Sequence, residues 1–76
     1  MVHLSELAKG DQARVVRFDD AGTPYARQLL SLGLIPGTRV KVARFAPLGD
    51  PIEIQFRGTS LVLRPSEARG LVLEKI

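Results

Sequence analysis

Side chains capable of acid–base, nucleophilic or metal chemistry are few in this 76-residue chain, and they are dispersed. The chain has one histidine, His3, and no cysteine, so a zinc site lacks its usual ligands. Asp19 and Asp20 are typical of a solvated turn, because hard cations take about six or more oxygen ligands. The hydroxyl residues lack a neighbouring base, and no Gly-Lys-Ser/Thr follows Gly33 and Gly37, as a phosphate-binding loop requires. We therefore expect no enzyme, no cofactor and no metal site.

The basic residues direct attention to anionic partners. Eleven Lys and Arg against eight Asp and Glu give a formal net charge of +3, a balance found in nucleic-acid-binding proteins. The cations are nevertheless dispersed among apolar positions, as on the solvent side of strands. Binders of single strands also expose aromatic platforms, whereas Phe18, Phe45 and Phe56 fit an apolar core and Tyr25 fits helix packing. A nucleic-acid-binding barrel is kept as the alternative function, and no nucleic acid is expected as the main partner.

Length and composition limit the remaining classes. Seventy-six residues predict one domain, 1–76, with a thin core. The absence of cysteine favours a reducing cytoplasm, since small secreted domains usually carry disulfides. No apolar run approaches the roughly 20 residues of a membrane span, and the N-terminus lacks the regions of a signal peptide. We expect a cytoplasmic protein that contacts a membrane only through a partner. Weak self-association is left open.

The polar and apolar pattern predicts one helix and five short strands. The helix is expected over 24–32, with Thr23 as N-cap and Gly33 as a left-handed end. Tyr25, Leu29 and Leu32 are expected to share its packed face. Short helical turns are expected at 4–7, capped by Ser5, and from residue 65. The strands are 13–18, 39–45, 52–56, 59–63 and 71–73.

Short strands, tight turns and a helix after the first strand predict a mainly β fold. We expect a small, partly open barrel of about five strands, with an SH3-like barrel as first choice and an OB-like barrel as second. Phe45 falls out of phase with Val42, so a bulge is expected near Ala43 and Arg44. Residues 57–58 are expected to form a tight hairpin turn with Gly58 at positive φ.

Two stiff turns flank the second predicted strand, LGLIPG at 32–37 and APLGDP at 46–51. Proline fixes φ and glycine supplies positive φ, so both turns are rigid and lose little entropy on binding. Arg64 and Glu67 are spaced to pair with each other or with a partner. Exposed apolar loop residues often mark interfaces, although Leu34, Ile35 and Leu48 fit the closed ends of a barrel equally well. The candidate partner-binding residues are Leu29, Leu32, Leu34, Ile35, Leu48, Asp50, Arg64 and Glu67.

Three motifs in register resemble the FeoA family over nearly the whole chain. They are LLSLGLIPG at 29–37, APLGDP at 46–51, and GTSLVLR at 58–64 followed by Glu67 and Ala68. The resemblance implies an SH3-like barrel with a helical insertion. It also implies a non-enzymatic accessory or regulatory protein of bacterial ferrous iron uptake. Such a protein would dock on the cytoplasmic side of FeoB, a membrane transporter with a GTP-binding domain.

Overall fold

The structure, a computed structural model, describes residues 1–48 and 50–76; Gly49 of the second stiff turn lies outside the described residues. A helix, α1 (Pro24–Leu32), follows the first strand, and short 3-10 turns at Leu4–Glu6 and Pro65–Ala68 precede the first and last strands. The strands form one antiparallel sheet in the order β4-β3-β2-β1-β5. This arrangement confirms the predicted mainly β fold with a helix inserted after the first strand. The strands are β1 (Gln12–Phe18), β2 (Arg39–Phe45), β3 (Ile52–Phe56), β4 (Thr59–Leu63) and β5 (Leu71–Lys75).

Alternation along the strands gives the sheet one apolar side, and Leu29 of α1 joins the core cluster that this side forms. The aromatic predictions are confirmed, because Phe56 is buried, while Phe18, Tyr25 and Phe45 pack half-buried at the edge of the core. Each fully buried Val, Leu, Ile or Phe contributes about 1.5–3 kcal/mol to folding. The core cluster comprises Leu4, Leu7, Ala13, Val15, Leu29, Leu34, Val40, Val42, Ile52, Ile54, Phe56, Leu63, Ala68, Leu71 and Leu73.

Both ends of α1 are built as the sequence predicts. Thr23 Oγ1 accepts a hydrogen bond from the Ala26 N–H at 3.1 Å, and Gly33 ends the helix at φ 113°. The predicted packed face is wrong at Leu32, which is 48% exposed, while Ala26 and Leu29 are buried. At about 100° per residue, Leu32 lies roughly 90° from the line midway between those two buried positions, at the margin of the packed face.

The first 3-10 turn and the last strand differ from prediction. The turn begins at Leu4 as predicted, but its N-cap is His3 rather than Ser5, because the Glu6 carboxylate accepts a hydrogen bond from the His3 N–H at 2.8 Å. β5 extends two residues beyond its predicted end, since Glu74 and Lys75 pair with the start of β1. Local patterning missed this extension because those residues are polar and are ordered by a strand distant in the chain.

Two local irregularities shape the central strands. The register between β2 and β3 shifts between Val42 and Arg44, which confirms the predicted bulge. In the hairpin between β3 and β4, Arg57 joins Gly58 at positive φ, with values of 52° and 74°. The prediction had assigned positive φ to the glycine alone. Positive φ at both positions defines a type I′ turn, whose twist matches that of paired strands.

Candidate partner-binding surfaces

The turn that ends α1 is closed by two backbone hydrogen bonds. The Leu34 N–H donates to the Leu29 carbonyl and the Gly33 N–H donates to the Leu30 carbonyl, each at 3.1 Å. This is the Schellman pattern, which a left-handed glycine permits and which commonly brings the two outer positions into apolar contact. Leu29 and Leu34 are 1% and 0% exposed and share the core cluster. Their place among the candidate partner-binding residues is therefore corrected, because neither side chain has surface free for a partner.

Thr38 fastens the same turn to the sheet. Its Oγ1–H donates to the Gly33 carbonyl at 2.8 Å, and its N–H donates to the Ile35 carbonyl at 3.0 Å. The neighbouring Gly37 N–H donates to the Val15 carbonyl at 2.7 Å. Thr38 is the one polar residue that is buried among the described residues. A buried hydroxyl needs its partner. The Thr38 hydroxyl therefore ties the helix end to the turn, and the Gly37 N–H ties the turn to β1.

Two apolar side chains remain outside that frame. Leu32 is 48% exposed and Ile35 is 40% exposed, on either side of the buried Leu34. We name Leu32 and Ile35 the exit-turn patch. The patch therefore contains two of the predicted partner-binding residues, and the surrounding hydrogen bonds make its backbone rigid.

The other stiff turn lies at the opposite end of β2. There Leu48 is 96% exposed and Asp50 is exposed. Seven residues of β2 separate this turn from the exit-turn patch, which is roughly 20 Å at strand rise. The two stiff turns therefore form two separate surfaces rather than one.

Arg64 is the N-cap of the second 3-10 turn and Glu67 lies within that turn; both residues are exposed. Within the described part of the chain they form no ion pair with each other; the Glu67 N–H donates to the Arg64 carbonyl at 2.9 Å instead. Glu67 also lies near α1, since it lines a small cavity together with Thr23 and Ala26. Burial raises the pKa of Tyr25, and the Glu67 carboxylate raises it further. These two candidates thus occupy a third location, beside the start of the helix.

A basic groove crosses the outer side of the sheet, and the sequence analysis did not predict it. Cross-strand pairing aligns Gln12 with Lys41, Lys41 with Gln55, and Gln55 with Ser60. Arg39 and Arg57 lie beside this row, two residues from Lys41 and Gln55 respectively, and the groove has a volume of about 540 Å³. That volume falls within the range of about 300–1,000 Å³ typical of ligand sites. We name these six residues, Gln12, Arg39, Lys41, Gln55, Arg57 and Ser60, the basic groove.

Alternation alone shows that the groove residues face outward, but only strand register shows that they converge. In the sequence, the three cations are separated by up to 18 positions and look like ordinary solvent-facing strand residues. The type I′ hairpin could have been used to align β3 with β4, and would have placed Ser60 opposite Gln55. The pairing of β1 with β2 carries no such local signal.

Across residues 1–48 and 50–76, no three His, Asp or Glu side chains come together to hold a metal ion. No helix in the described ranges is long and apolar enough to cross a membrane. A five-stranded antiparallel sheet with a helix inserted after its first strand defines a small, partly open, mainly β domain.

The chain belongs to the FeoA family, since the model for the FeoA domain matches residues 2–75. It is 33% identical over 75 residues to the Fe(2+) transport protein A/Fe(2+) transporter FeoB fusion protein of Porphyromonas gingivalis. That match covers 99% of this chain and 9% of the relative. The chain therefore spans about a tenth of that curated relative.

Solved FeoA structures share the fold. The solution structure of FeoA from Chlorobium tepidum matches with a TM-score of 0.86 and 45% identity, over 99% of this chain and 70% of that one. FeoA of Stenotrophomonas maltophilia complexed with zinc matches with a TM-score of 0.85 and 34% identity, over 97% and 91%. That protein is described as a prokaryotic SH3 domain protein and a candidate activating factor for ferrous iron transport. The SH3-like prediction is thereby confirmed over the OB-like alternative.

Proposed function

We propose that this protein is a non-enzymatic accessory or regulatory component of bacterial ferrous iron uptake. In this role it docks on a FeoB-type transporter from the cytoplasmic side. The supporting observation is the fusion protein of Porphyromonas gingivalis, in which a domain related over 99% of this chain is joined to a transporter FeoB. Fusion keeps two partners at high effective concentration. Without such a covalent link, binding to the transporter depends on a contact surface of the FeoA domain itself.

The exit-turn patch is the surface best suited to that contact. Leu32 and Ile35 expose apolar area, and the bond from Thr38 to the Gly33 carbonyl holds the turn beneath them. An apolar contact on a rigid frame gains from desolvation without the entropy loss of ordering a loop. Leu48, with Asp50 beside it, forms a second candidate contact roughly 20 Å away. Arg64 and Glu67 form a third.

The test is binding to a full-length FeoB-type transporter in nanodiscs, with and without guanine nucleotide. We expect saturable binding of the wild-type protein and at least a tenfold loss for Leu32→Asp. Leu48→Asp tests the other turn, and Ile76→Asp is the matched control, since Ile76 is 55% exposed and lies outside both turns. Circular dichroism confirms that each variant is folded.

The pattern of losses assigns the surface. Loss in Leu32→Asp alone supports the exit-turn patch, whereas loss in Leu48→Asp alone moves the contact to the second turn. Equal losses in all three variants indicate a nonspecific effect of the added charge. No binding by the wild-type protein in any nucleotide state contradicts the docking proposal. A change of affinity with nucleotide supports regulation over plain scaffolding.

A further inference from the structure

We propose that the basic groove binds an extended, acidic peptide segment of a partner protein, through carboxylates placed on alternate residues. The proposal stands apart from transporter docking through the exit-turn patch, because it rests on a different surface and a different chemistry. Its evidence is the distribution of charge, the pairing of cations and the spacing of donors in the groove.

The whole net charge of the chain resides in the groove. Arg39, Lys41 and Arg57 line it, and no carboxylate does. Of the eleven basic residues in the chain, eight lie elsewhere, and they equal the eight acidic residues in number. The remainder of the chain is therefore formally neutral, and the groove gathers three cations in a lining that contains no carboxylate.

Cations elsewhere on the sheet have carboxylate partners, and the groove cations do not. On β2 itself, Arg44 Nε lies 3.1 Å from Glu53 Oε1. On β1, Arg14 Nη1 lies 3.4 Å from Glu74 Oε1. Among the described residues, Arg39, Lys41 and Arg57 have no carboxylate oxygen within 4.0 Å. Because the same strands carry paired cations on either side, the unpaired set is a local property of the groove.

The donors of the groove match carboxylates in type and spacing. Arginine presents a planar fork that holds a carboxylate with two hydrogen bonds, and the amide of Gln55 and the hydroxyl of Ser60 add neutral donors. Arg39 and Lys41 are two residues apart on one side of β2, which is roughly 7 Å at strand rise. Carboxylates on alternate residues of an extended peptide have the same spacing.

The surroundings favour an acidic peptide over a nucleic acid. Single-stranded nucleic acids are held largely by base stacking on exposed aromatic rings. Phe56 is buried, and Phe18, Tyr25 and Phe45 pack against the core, so no ring of the described residues is presented as a platform over the groove. A peptide needs only the cations, amides and hydroxyls that are present.

The test is a titration of the isotope-labelled protein, followed by amide chemical shifts at about 20 mM salt. The probe is a short capped peptide of alternating glutamate and serine. A peptide of the same composition with contiguous glutamates tests spacing, and an oligodeoxythymidylate of equal charge tests the nucleic-acid alternative. We expect saturable shifts at residues 39–41 and 55–60, and tighter binding of the alternating peptide than of either comparison ligand.

Two pairs of variants separate the groove from general positive charge. Arg39→Gln combined with Lys41→Gln should weaken the alternating peptide about fivefold or more, as expected for losing two exposed ion pairs. Lys9→Gln combined with Arg27→Gln is the matched control, because it removes one lysine and one exposed arginine from outside the groove. Ser60→Glu, compared with Ser66→Glu, provides a second block that leaves the groove cations in place.

Selective loss in the groove variants, with the controls near wild type, supports the proposal. Equal loss in the groove and control variants overturns it in favour of general electrostatic attraction. Tighter binding of the oligonucleotide assigns the groove to nucleic acid instead, and the absence of saturable shifts in the wild-type protein also overturns the proposal. None of these outcomes depends on binding to the transporter, so failure here and failure of the docking proposal are distinguishable.

Discussion

The exit-turn patch and the basic groove are two exposed surfaces of opposite chemical character. The patch is apolar and sits on a closed set of hydrogen bonds, in which Thr38 binds the Gly33 carbonyl and Leu34 fills the core below. The groove is polar, and its cations have no carboxylate partner among the described residues. The two surfaces are adjacent where Arg57 approaches Gly33. A Cβ atom added at Gly33 would lie 3.6 Å from Arg57 Cδ.

At the turn, residues that stabilise the fold lie next to residues that are exposed, whereas the exposed cations of the groove do not stabilise the fold. At the turn, the side chains that hold the fold and those that face solvent alternate within a few residues. In the groove, removing the cations takes away no ion pair and relieves the mutual repulsion among like charges. Charges that do not stabilise the fold are available to a ligand. The following predictions test this contrast, in order of decreasing effect.

The largest effect is expected inside the turn. Leu29→Ala should lower the free energy of unfolding by about 2–5 kcal/mol, because it leaves a cavity in a thin core. Leu32→Ala, three residues further along α1, should change it by about 0.5 kcal/mol or less, as for an exposed position. Urea unfolding followed by circular dichroism measures both. Similar losses in the two variants would contradict the division of the turn into an inner and an outer side.

A smaller effect is expected for the bond that fastens the turn. Thr38→Val keeps the side-chain shape but removes the donor to the Gly33 carbonyl, which should destabilise the protein by about 1–3 kcal/mol. Thr59→Val is a control at an exposed strand position. The same urea experiment measures both variants. A Thr38→Val protein as stable as the wild type would show that the turn holds without this bond.

In the groove, removal of charge should act in the opposite direction. Arg39→Gln combined with Lys41→Gln should slightly raise the melting temperature at low salt, since it relieves repulsion without breaking an ion pair. Arg44→Gln should slightly lower it, because Arg44 is paired with Glu53. Both shifts should shrink at about 1 M salt, where the screening length is about 3 Å. Shifts of the same sign in the two proteins would remove the contrast between paired and unpaired cations.

The smallest effect is expected at Asp11, a partnered charge beside groove residue Gln12. The hydrogen bond from the Ala8 N–H lowers the pKa of Asp11 below its ordinary value of 3.8, and Lys75 lowers it further. A lowered pKa stabilises the fold at pH values above the ordinary value of 3.8. This contribution declines below that value and is lost as the pH falls through the lowered pKa of the folded protein. Asp11→Asn should therefore be less stable than wild type at neutral pH and indistinguishable near pH 2. Urea midpoints at the two pH values check this, and a constant difference would contradict it.

Most elements were predictable because their signals are local. The bounds of α1, β2, β3 and β4 agree with the sequence-based prediction, since caps, prolines, glycines and alternation act within a few residues. The Schellman contact of Leu34 with Leu29 could also have been inferred from the glycine at the helix end. Naming both leucines as partner-binding candidates overlooks that local rule, although the signal is present in the sequence.

The strands, the helix, the stiff turns and the family could be predicted from the sequence, because each depends on residue type and short spacing. Only the tertiary structure decided which outward residues meet. Register between distant strands brings Gln12, Lys41, Gln55 and Ser60 into one row, and it separates the two stiff turns by the length of β2. Register is set by the packing of the whole core, which is why single-strand patterns reveal the direction of a side chain but not its neighbours.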